Sequence, residues 1–419
     1  MIITFTVGNF LSLKDKYSLS FRAKKTDQSL PDSMFTSNEE NLVKSIAVFG
    51  SNASGKSNLI KALAFVRNLV VNGLQQSLSG TIPVEPFVLS TTTEKEPSFF
   101  ELEILSGENT FIYGFEVLPQ RISREWLHQF PNKKVLFERT NQDFKINARY
   151  FKEGSTSAIK NTRENVLFLT VLASLNGEIS KEVVDVIKKI QVIFGLERGQ
   201  TLNYSFEKYA KDESYRSRMK DFLLQADVGI DDILSEEKQM TAEEFAKVAP
   251  PPLRDSIAAQ IGNFFHRKLA TVHQKYDGNG KSVGNVPFDF FKESDGTQQV
   301  FALSAPIINS LEEANLLVID ELDSSLHPLI CRYLLKMFNS KEGNQKDAQL
   351  VFTTHDISLL DEDLLRRDQV WFTQKDRAGA TELFSLADLG ERSNLNFAKR
   401  YLEGRYGALP YVKLLEGME

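Results

Sequence analysis

One cysteine, Cys331, stands in 419 residues. An internal disulfide framework and a multi-cysteine zinc site are therefore excluded. No run of about 20 apolar residues is present, so no membrane span is expected. The opening MIITFTVGNFLSL lacks the basic head of a secretory signal and alternates like a strand. The cytoplasm is the expected compartment. Excess positive charge is also missing: the formal charge is -6. A strongly basic nucleic-acid binder is not implied, although a local basic face remains open. No internal repeat is seen. No sustained heptad pattern is seen either, so no long coiled-coil arm is expected.

What the chain does have is apolar mass. Hydrophobic residues make up 42% and charged residues 25%, as in a well-packed globular protein. Most of the 31 phenylalanines should be core. The length allows two or more domains. Ile3, Phe5 and Val7 alternate, and so do Tyr17, Leu19 and Phe21, which predicts strands. Lys24 to Asn41 reads as a loop. Pro97 to Val117 reads as two strands joined near Gly107, with further strands in RISREWLHQF, KKVLFERT and Phe144 to Phe151. From about Asn161 the pattern turns helical, over Val166 to Ala173, Ser180 to Phe194, Tyr209 to Ala226 and Thr241 to Val248. PPLRDSIAAQIGNFFHRKLATVHQ has a proline start and apolar positions Ile257, Ile261, Phe264 and Leu269, the spacing of an amphipathic helix. Buried-strand runs return at NLLVID, AQLVFTTH, QVWFTQKD and TELFSL, with CRYLLKMF as a helix. The expected organisation is one α/β body built from residues 1–160 and 285–419, interrupted by a helical insertion over 161–284.

The stretch FGSNASGKSNLI carries the clearest chemistry. Gly50, Ser51, Asn52, Ala53, Ser54, Gly55, Lys56 and Ser57 fit G-x-x-x-x-G-K-[ST]. The strand SIAVF precedes them. Asn58 opens a stretch in which Leu59, Leu63, Val66 and Val70 recur at helical spacing. Such a loop turns its N–H groups toward phosphate oxygens. Lys56 adds a charge near the β and γ phosphates, and Ser57 offers a hydroxyl to Mg²⁺. The helix that follows adds its positive end. LLVIDE then delivers two adjacent carboxylates at a strand end. Asp320 is placed to hold Mg²⁺, and Glu321 to polarise an attacking water. His355 ends a third apolar run, where it can sense a γ-phosphate or orient water. ATP and Mg²⁺ are the expected cofactors.

These motifs together resemble the ATP-binding cassette ATPases, in the branch of structural-maintenance-of-chromosomes heads and RecF-like proteins. The resemblance implies an α/β P-loop NTPase head with an inserted helical domain. It matches Gly50 to Ser57 to Walker A, Leu316 to Glu321 to Walker B, Asp323 in ELDSSLHP to the D-loop, and His355 to the switch histidine. KESDGTQQ resembles the LSGGQ signature, with Ser294, Gly296 and Thr297 on its serine, second glycine and glutamine. Asp295 stands where the first glycine is usual. A Q-loop is expected over Thr81 to Ser90, which has no glutamine; Glu85 or a neighbour is the substitute. Asn9 and Ser12 fall where related heads place a loop near the nucleotide. NFLSLKDKYSLSF, LLQADVGIDDI and GRYGALP extend the likeness to bacterial predicted ATPases of the abortive-infection and overcoming-lysogenisation-defect type.

That resemblance implies an ATPase of an anti-phage defence system. Two heads would sandwich ATP, with Ser294 and Gly296 supplied by the opposing copy, as a homodimer or a higher even-numbered oligomer. Some relatives carry a C-terminal toprim nuclease. The chain stops at Glu419, soon after the ATPase body, so a separate effector, a nuclease or a toxin, is expected as partner, and no membrane partner. Two alternatives stand beside this: a repair or recombination ATPase that contacts DNA or RNA directly, and a nuclease with an unrecognised site. Arg121, Arg124, Lys133 and Lys134 are candidates for a basic face. His266 and His273, near Asp277, lack metal-ligand spacing and read as a solvated helix end.

Overall fold

The computed structural model describes residues 1–76, 80–195, 198–226, 229–230, 232–241, 244, 264–390 and 395–409. The chain forms two compact units. The first contains Met1–Leu196, Asn309–Ser324 and Pro328–Glu419; the second contains Glu197–Ile308 and Ser325–His327.

The first unit holds two large sheets. In chain order its strands begin with β1 (Ile2–Gly8), β2 (Tyr17–Ser20), the hairpin β3 (Met34–Ser37) and β4 (Glu40–Val43), and β5 (Ser45–Phe49). Helix α1 (Lys56–Gln76) follows, then β6 (Ser98–Ser106), β7 (Asn109–Leu118), β8 (Arg121–Phe130), β9 (Lys134–Thr140) and β10 (Asp143–Ile146). Helices α2 (Thr156–Asn161), α3 (Phe168–Ser174) and α4 (Glu178–Lys188) lead to β11 (Ile190–Phe194).

The second unit contains α5 (Arg198–Lys211), α6 (Glu213–Gln225), β12 (Asp232–Met240), β13 (Phe264–Tyr276) and β14 (Ser282–Asp289). It also holds most of α7 (Asp295–Glu313). The chain then returns to the first unit with β15 (Leu316–Asp320), α8 (Pro328–Asn339), β16 (Gln349–Thr353), β17 (Val370–Lys375), β18 (Thr381–Ser385) and α9 (Phe397–Leu402).

One sheet has the order β11-β15-β16-β5-β17-β18, parallel except for the last hairpin. Its central strands SIAVF, LLVID and QLVFT are buried at every position. This is why they appear in the sequence as continuous apolar runs: a parallel sheet covered on both faces has no solvent side. The other sheet, β10-β9-β8-β7-β6-β1-β2, is antiparallel, and strands such as β6 alternate between buried and half-buried residues. The amide of Gln349 joins the two sheets by accepting from the Ile2 N–H at 2.9 Å and donating to the Ile2 carbonyl at 2.7 Å. One core runs through both sheets and takes Leu59, Leu63, Val66 and Val70 from α1 and Val183 and Ile187 from α4.

Three local expectations are corrected. Ile190–Phe194, expected to end a helix, is strand β11, paired in parallel with β15. Its β-branched residues find a strand partner there, and that long-range pairing is invisible to local periodicity. The helix expected through Phe264–Gln274 is instead β13, paired on both edges with β12 and β14. Leu269, Thr271 and His273 recur every second residue, and the pairing selects that period over the helical one. The loop expected over Lys24 to Asn41 contains a strand and the start of its hairpin partner. The helix expected over Thr241 to Val248, and the first part of the one from Pro251, lie outside the described residues.

Candidate functional site

The parallel strands β5, β15 and β16 deliver their chain ends to one edge of the sheet. This edge is where open α/β sheets take their ligands. From β5 the chain enters the loop Gly50–Gly55 and begins α1 at Lys56. A side chain at Gly55, where φ is +110°, would lie 2.1 Å from the Thr381 hydroxyl, so only glycine fits. Ala53 takes φ 61°.

Lys56 is buried. Its ammonium donates to the carbonyls of Gly50 at 2.9 Å and Ser51 at 3.0 Å. Burial pushes it down to about 8, against the pull of Asp320, Glu321 and Asp323. His355 Nδ1 lies 3.5 Å from the Lys56 Nζ, at the outer limit of a hydrogen bond. An ammonium only donates, so this arrangement makes Nδ1 the acceptor and leaves the proton on Nε2. Burial and then Lys56 lower the His355 pKa below its ordinary value, with the three carboxylates opposing. Both effects favour the neutral ring.

The acidic pair sits at the end of β15. Asp320 is buried and accepts from the Thr353 hydroxyl at 2.7 Å. The same hydroxyl accepts the Glu321 N–H at 2.7 Å. Glu321 itself is held at φ 56°, a conformation that costs an L-residue on the order of 1 kcal/mol. The Asp323 carboxylate accepts the His355 N–H, at 3.3 and 3.2 Å from its two oxygens. Loop, acidic pair, Asp323 and His355 are thus linked through Lys56 and β16.

Several residues of this arrangement carry no sequence motif. Thr353 is one. The others brace the phosphate loop. Ser54 Oγ pairs with Thr373 Oγ1 at 2.7 Å, and the Thr381 hydroxyl donates to the Ser54 carbonyl at 2.9 Å. Ser12 lies 2.7 Å from Thr381 Oγ1 and accepts from Asn58 at 2.6 Å. The Ser51 N–H donates to the Ala408 carbonyl at 3.1 Å, which brings the GRYGALP stretch to the loop. For Thr353, Thr373 and Thr381 the available signal was a hydroxyl residue within a strand, too common to single out, whereas Ser12 and Ser54 were already named from the sequence. Asn9 serves a different loop: it donates to the carbonyls of Thr93 and Glu96 and accepts the Phe87 N–H. Glu85 contributes its carbonyl to the Leu11 N–H, and its side chain is exposed.

The signature-like residues lie in the second unit. Ser294 precedes α7, and its hydroxyl accepts the Thr297 N–H at 3.1 Å, as a helix cap does. A side chain on Gly296 would approach the Ser325 carbonyl to 3.0 Å. Glu293 anchors this turn to β13 by accepting from the Thr271 hydroxyl and pairing with His273 at 2.7 Å. His273 is therefore a strand residue beside the turn, where a solvated helix end was expected.

Residues 45–361 match the family described as "AAA domain, putative AbiEii toxin, Type IV TA system". The chain belongs to this family. In the parallel sheet β16 lies between β5 and β15. The fold is α/β, with a P-loop-type turn between β5 and α1.

No curated protein matches the chain. Among solved structures it is similar to the SmcHead bound to the C-winged helix domain of ScpA. That likeness has a TM-score of 0.45 at 13% identity, covering 92% of this chain and 97% of that one. It is also similar to the recombination mediator RecF with ATPrS, with a TM-score of 0.35, 13% identity, and 92% and 98% covered. RecF with ATP gives 0.32 and 14% identity, with 92% and 99% covered. Among the described residues no helix is long and apolar enough to cross a membrane.

Proposed function

We propose that the chain hydrolyses ATP and uses the cycle to engage and release a second head, gating a separate effector in an anti-phage response. The observation that supports hydrolysis best is the convergence of Lys56, His355, Asp320 and Glu321 at one edge, tied together by Thr353 and Asp323. The backbone N–H groups of residues 52, 53 and 55–57 and the start of α1 suit a phosphate chain, those of Ser51 and Ser54 being taken by the Ala408 and Ser51 carbonyls. Lys56 exchanges its carbonyl partners for phosphate oxygens.

The donor set fits Mg²⁺: the Ser57 hydroxyl and the Asp320 carboxylate are hard oxygen ligands, and Thr353 engages one carboxylate oxygen of Asp320. When bound, the ion neutralises charge on the β and γ phosphates. Glu321 accepts a proton from water as the water oxygen attacks the γ-phosphorus and the bond to the bridging oxygen breaks. The Nε2–H of His355 donates to a γ oxygen. Purified protein should release phosphate from ATP, and EDTA should stop it. No release at any Mg²⁺ concentration would reject the reading.

The turn at Ser294 supports head engagement. Ser294 caps a 19-residue helix, α7, that begins at Asp295 and includes Gly296 and Thr297, and its N-terminal donors suit a γ-phosphate bound by another copy. The defence role draws on the family, whose description names a toxin of a type IV toxin–antitoxin system. Co-purification from the native host should return a second protein, held differently by Glu321→Gln.

A nucleic-acid role has one observation in its favour. The exposed Tyr150 ring has Lys134 at 5.2 Å and Arg149 at 5.3 Å, an aromatic flanked by cations. DNA- or RNA-stimulated hydrolysis, lost in Tyr150→Ala, would favour that alternative.

A further inference from the structure

The Thr353 side chain is fully buried at the end of β16. Its hydroxyl makes two bonds, both to the end of the neighbouring strand, β15. Their direction is set by chemistry. A main-chain N–H can only donate, so Thr353 Oγ1 accepts from Glu321. The single hydroxyl proton then goes to Asp320 Oδ1. One atom thus orients the carboxylate of one residue and holds the backbone from which the next carboxylate projects.

Glu321 needs that support. It is a non-glycine residue at φ 56°, and such conformations persist only where the surroundings over-determine them. The Thr353 carbonyl adds a third tie by accepting the Leu322 N–H at 3.0 Å. Its neighbour Thr354 differs. That hydroxyl accepts the Asp356 N–H two residues on, an ordinary local turn.

We infer that Thr353 is a positioning residue that couples the two acidic residues, so that orienting Asp320 toward a metal and aiming Glu321 are one structural event. The inference rests on the reading of Asp320 as metal ligand and Glu321 as the group facing water. It assigns a role to a residue whose hydroxyl is engaged by two protein partners. Removing the hydroxyl while keeping the shape leaves the Glu321 N–H without its acceptor and Asp320 free to rotate. The carbonyl tie to Leu322 survives.

The test compares Thr353→Val, Thr353→Ala and Thr353→Ser with wild type. Melting temperature is measured for each, so that a folding defect is seen as one. Two quantities decide the matter: turnover of ATP, and the Mg²⁺ concentration at half-maximal binding of a fluorescent non-hydrolysable ATP analogue. Thr353→Val should cut turnover about 10- to 100-fold and raise the Mg²⁺ half-point about tenfold, the scale of losing an outer-shell partner. Analogue binding without Mg²⁺ should not change. Thr353→Ser should restore both quantities to within about threefold, because the hydroxyl is what matters.

If Thr353→Val does not fold, Thr353→Ala against Thr353→Ser carries the comparison. Wild-type turnover and Mg²⁺ half-point in a folded hydroxyl-free variant would overturn the inference. So would a serine variant as impaired as valine. Absence of turnover in wild type would instead remove the hydrolytic reading, and the Mg²⁺ half-points alone would then decide the role of Thr353.

Discussion

The His355 main-chain N–H donates to the carboxylate of Asp323, at 3.3 and 3.2 Å from its two oxygens. The aspartate after the acidic pair therefore sets where the histidine begins, from another strand end. Asp323→Ala should release His355 from that position. Turnover should fall about 10- to 100-fold, the effect of losing a hydrogen bond to a charged group. Nucleotide affinity should change little, because Lys56 and the loop keep their own bonds. Steady-state phosphate release and equilibrium nucleotide binding on one preparation would separate the two. Equal losses in both would return Asp323 to a purely structural place.

Glu321→Gln keeps the left-handed turn and its bond to Thr353, since only a side-chain oxygen is replaced. Mg²⁺–ATP binding should persist while hydrolysis falls by about 10²-fold or more, as on removing a general base. ATP should then accumulate an engaged dimer, visible as a shift in size-resolved scattering. An unchanged hydrolysis rate would reassign the glutamate.

Lys56→Ala and Ser294→Arg are each expected to be inactive alone. The lysine variant loses the buried ammonium that reaches the loop carbonyls. The arginine variant destroys the cap on Thr297 and blocks the start of α7. Mixed in one dimer, they make one composite site with both lesions and one with neither. Some ATPase activity should return, up to about one quarter of wild type if sites are independent and subunits pair at random. Full activity of Ser294→Arg by itself would remove the signature from the reaction.

Arg139 and Glu125 form an ion pair at 3.4 Å with both side chains fully buried. The Glu125 carboxylate also accepts the N–H groups of Phe168 and Leu169, and so caps α3. Arg139→Met should destabilise the first unit by about 3 kcal/mol, because it strands a buried carboxylate and the carbonyl partners of the guanidinium. Denaturant unfolding followed by far-UV circular dichroism would register it. A midpoint equal to wild type would show that the Tyr113 hydroxyl, which donates to Glu125 at 3.1 Å, and the helix N–H groups suffice for Glu125.

The phosphate loop and the acidic strand were legible because each packs its chemistry into a few consecutive residues. Gly50, Gly55, Lys56 and Ser57 lie within one turn of chain, and Asp320 and Glu321 close a run of apolar residues. Burial on both faces wrote β5, β15 and β16 into the sequence as uninterrupted hydrophobic stretches. Contiguity and periodicity thus determined where the loop, the acidic pair and His355 sit along the chain.

Contacts between distant segments could be decided only by the tertiary structure. Whether Phe264–Tyr276 is helix or strand depended on β12 and β14, because its apolar residues satisfy either period over a short window. Thr353, Thr373 and Thr381 are ordinary hydroxyl residues until folding brings them to Asp320, Glu321 and Ser54. A hydroxyl's function depends on which donor and acceptor stand within about 3 Å of it, and that distance exists only once the strands have paired.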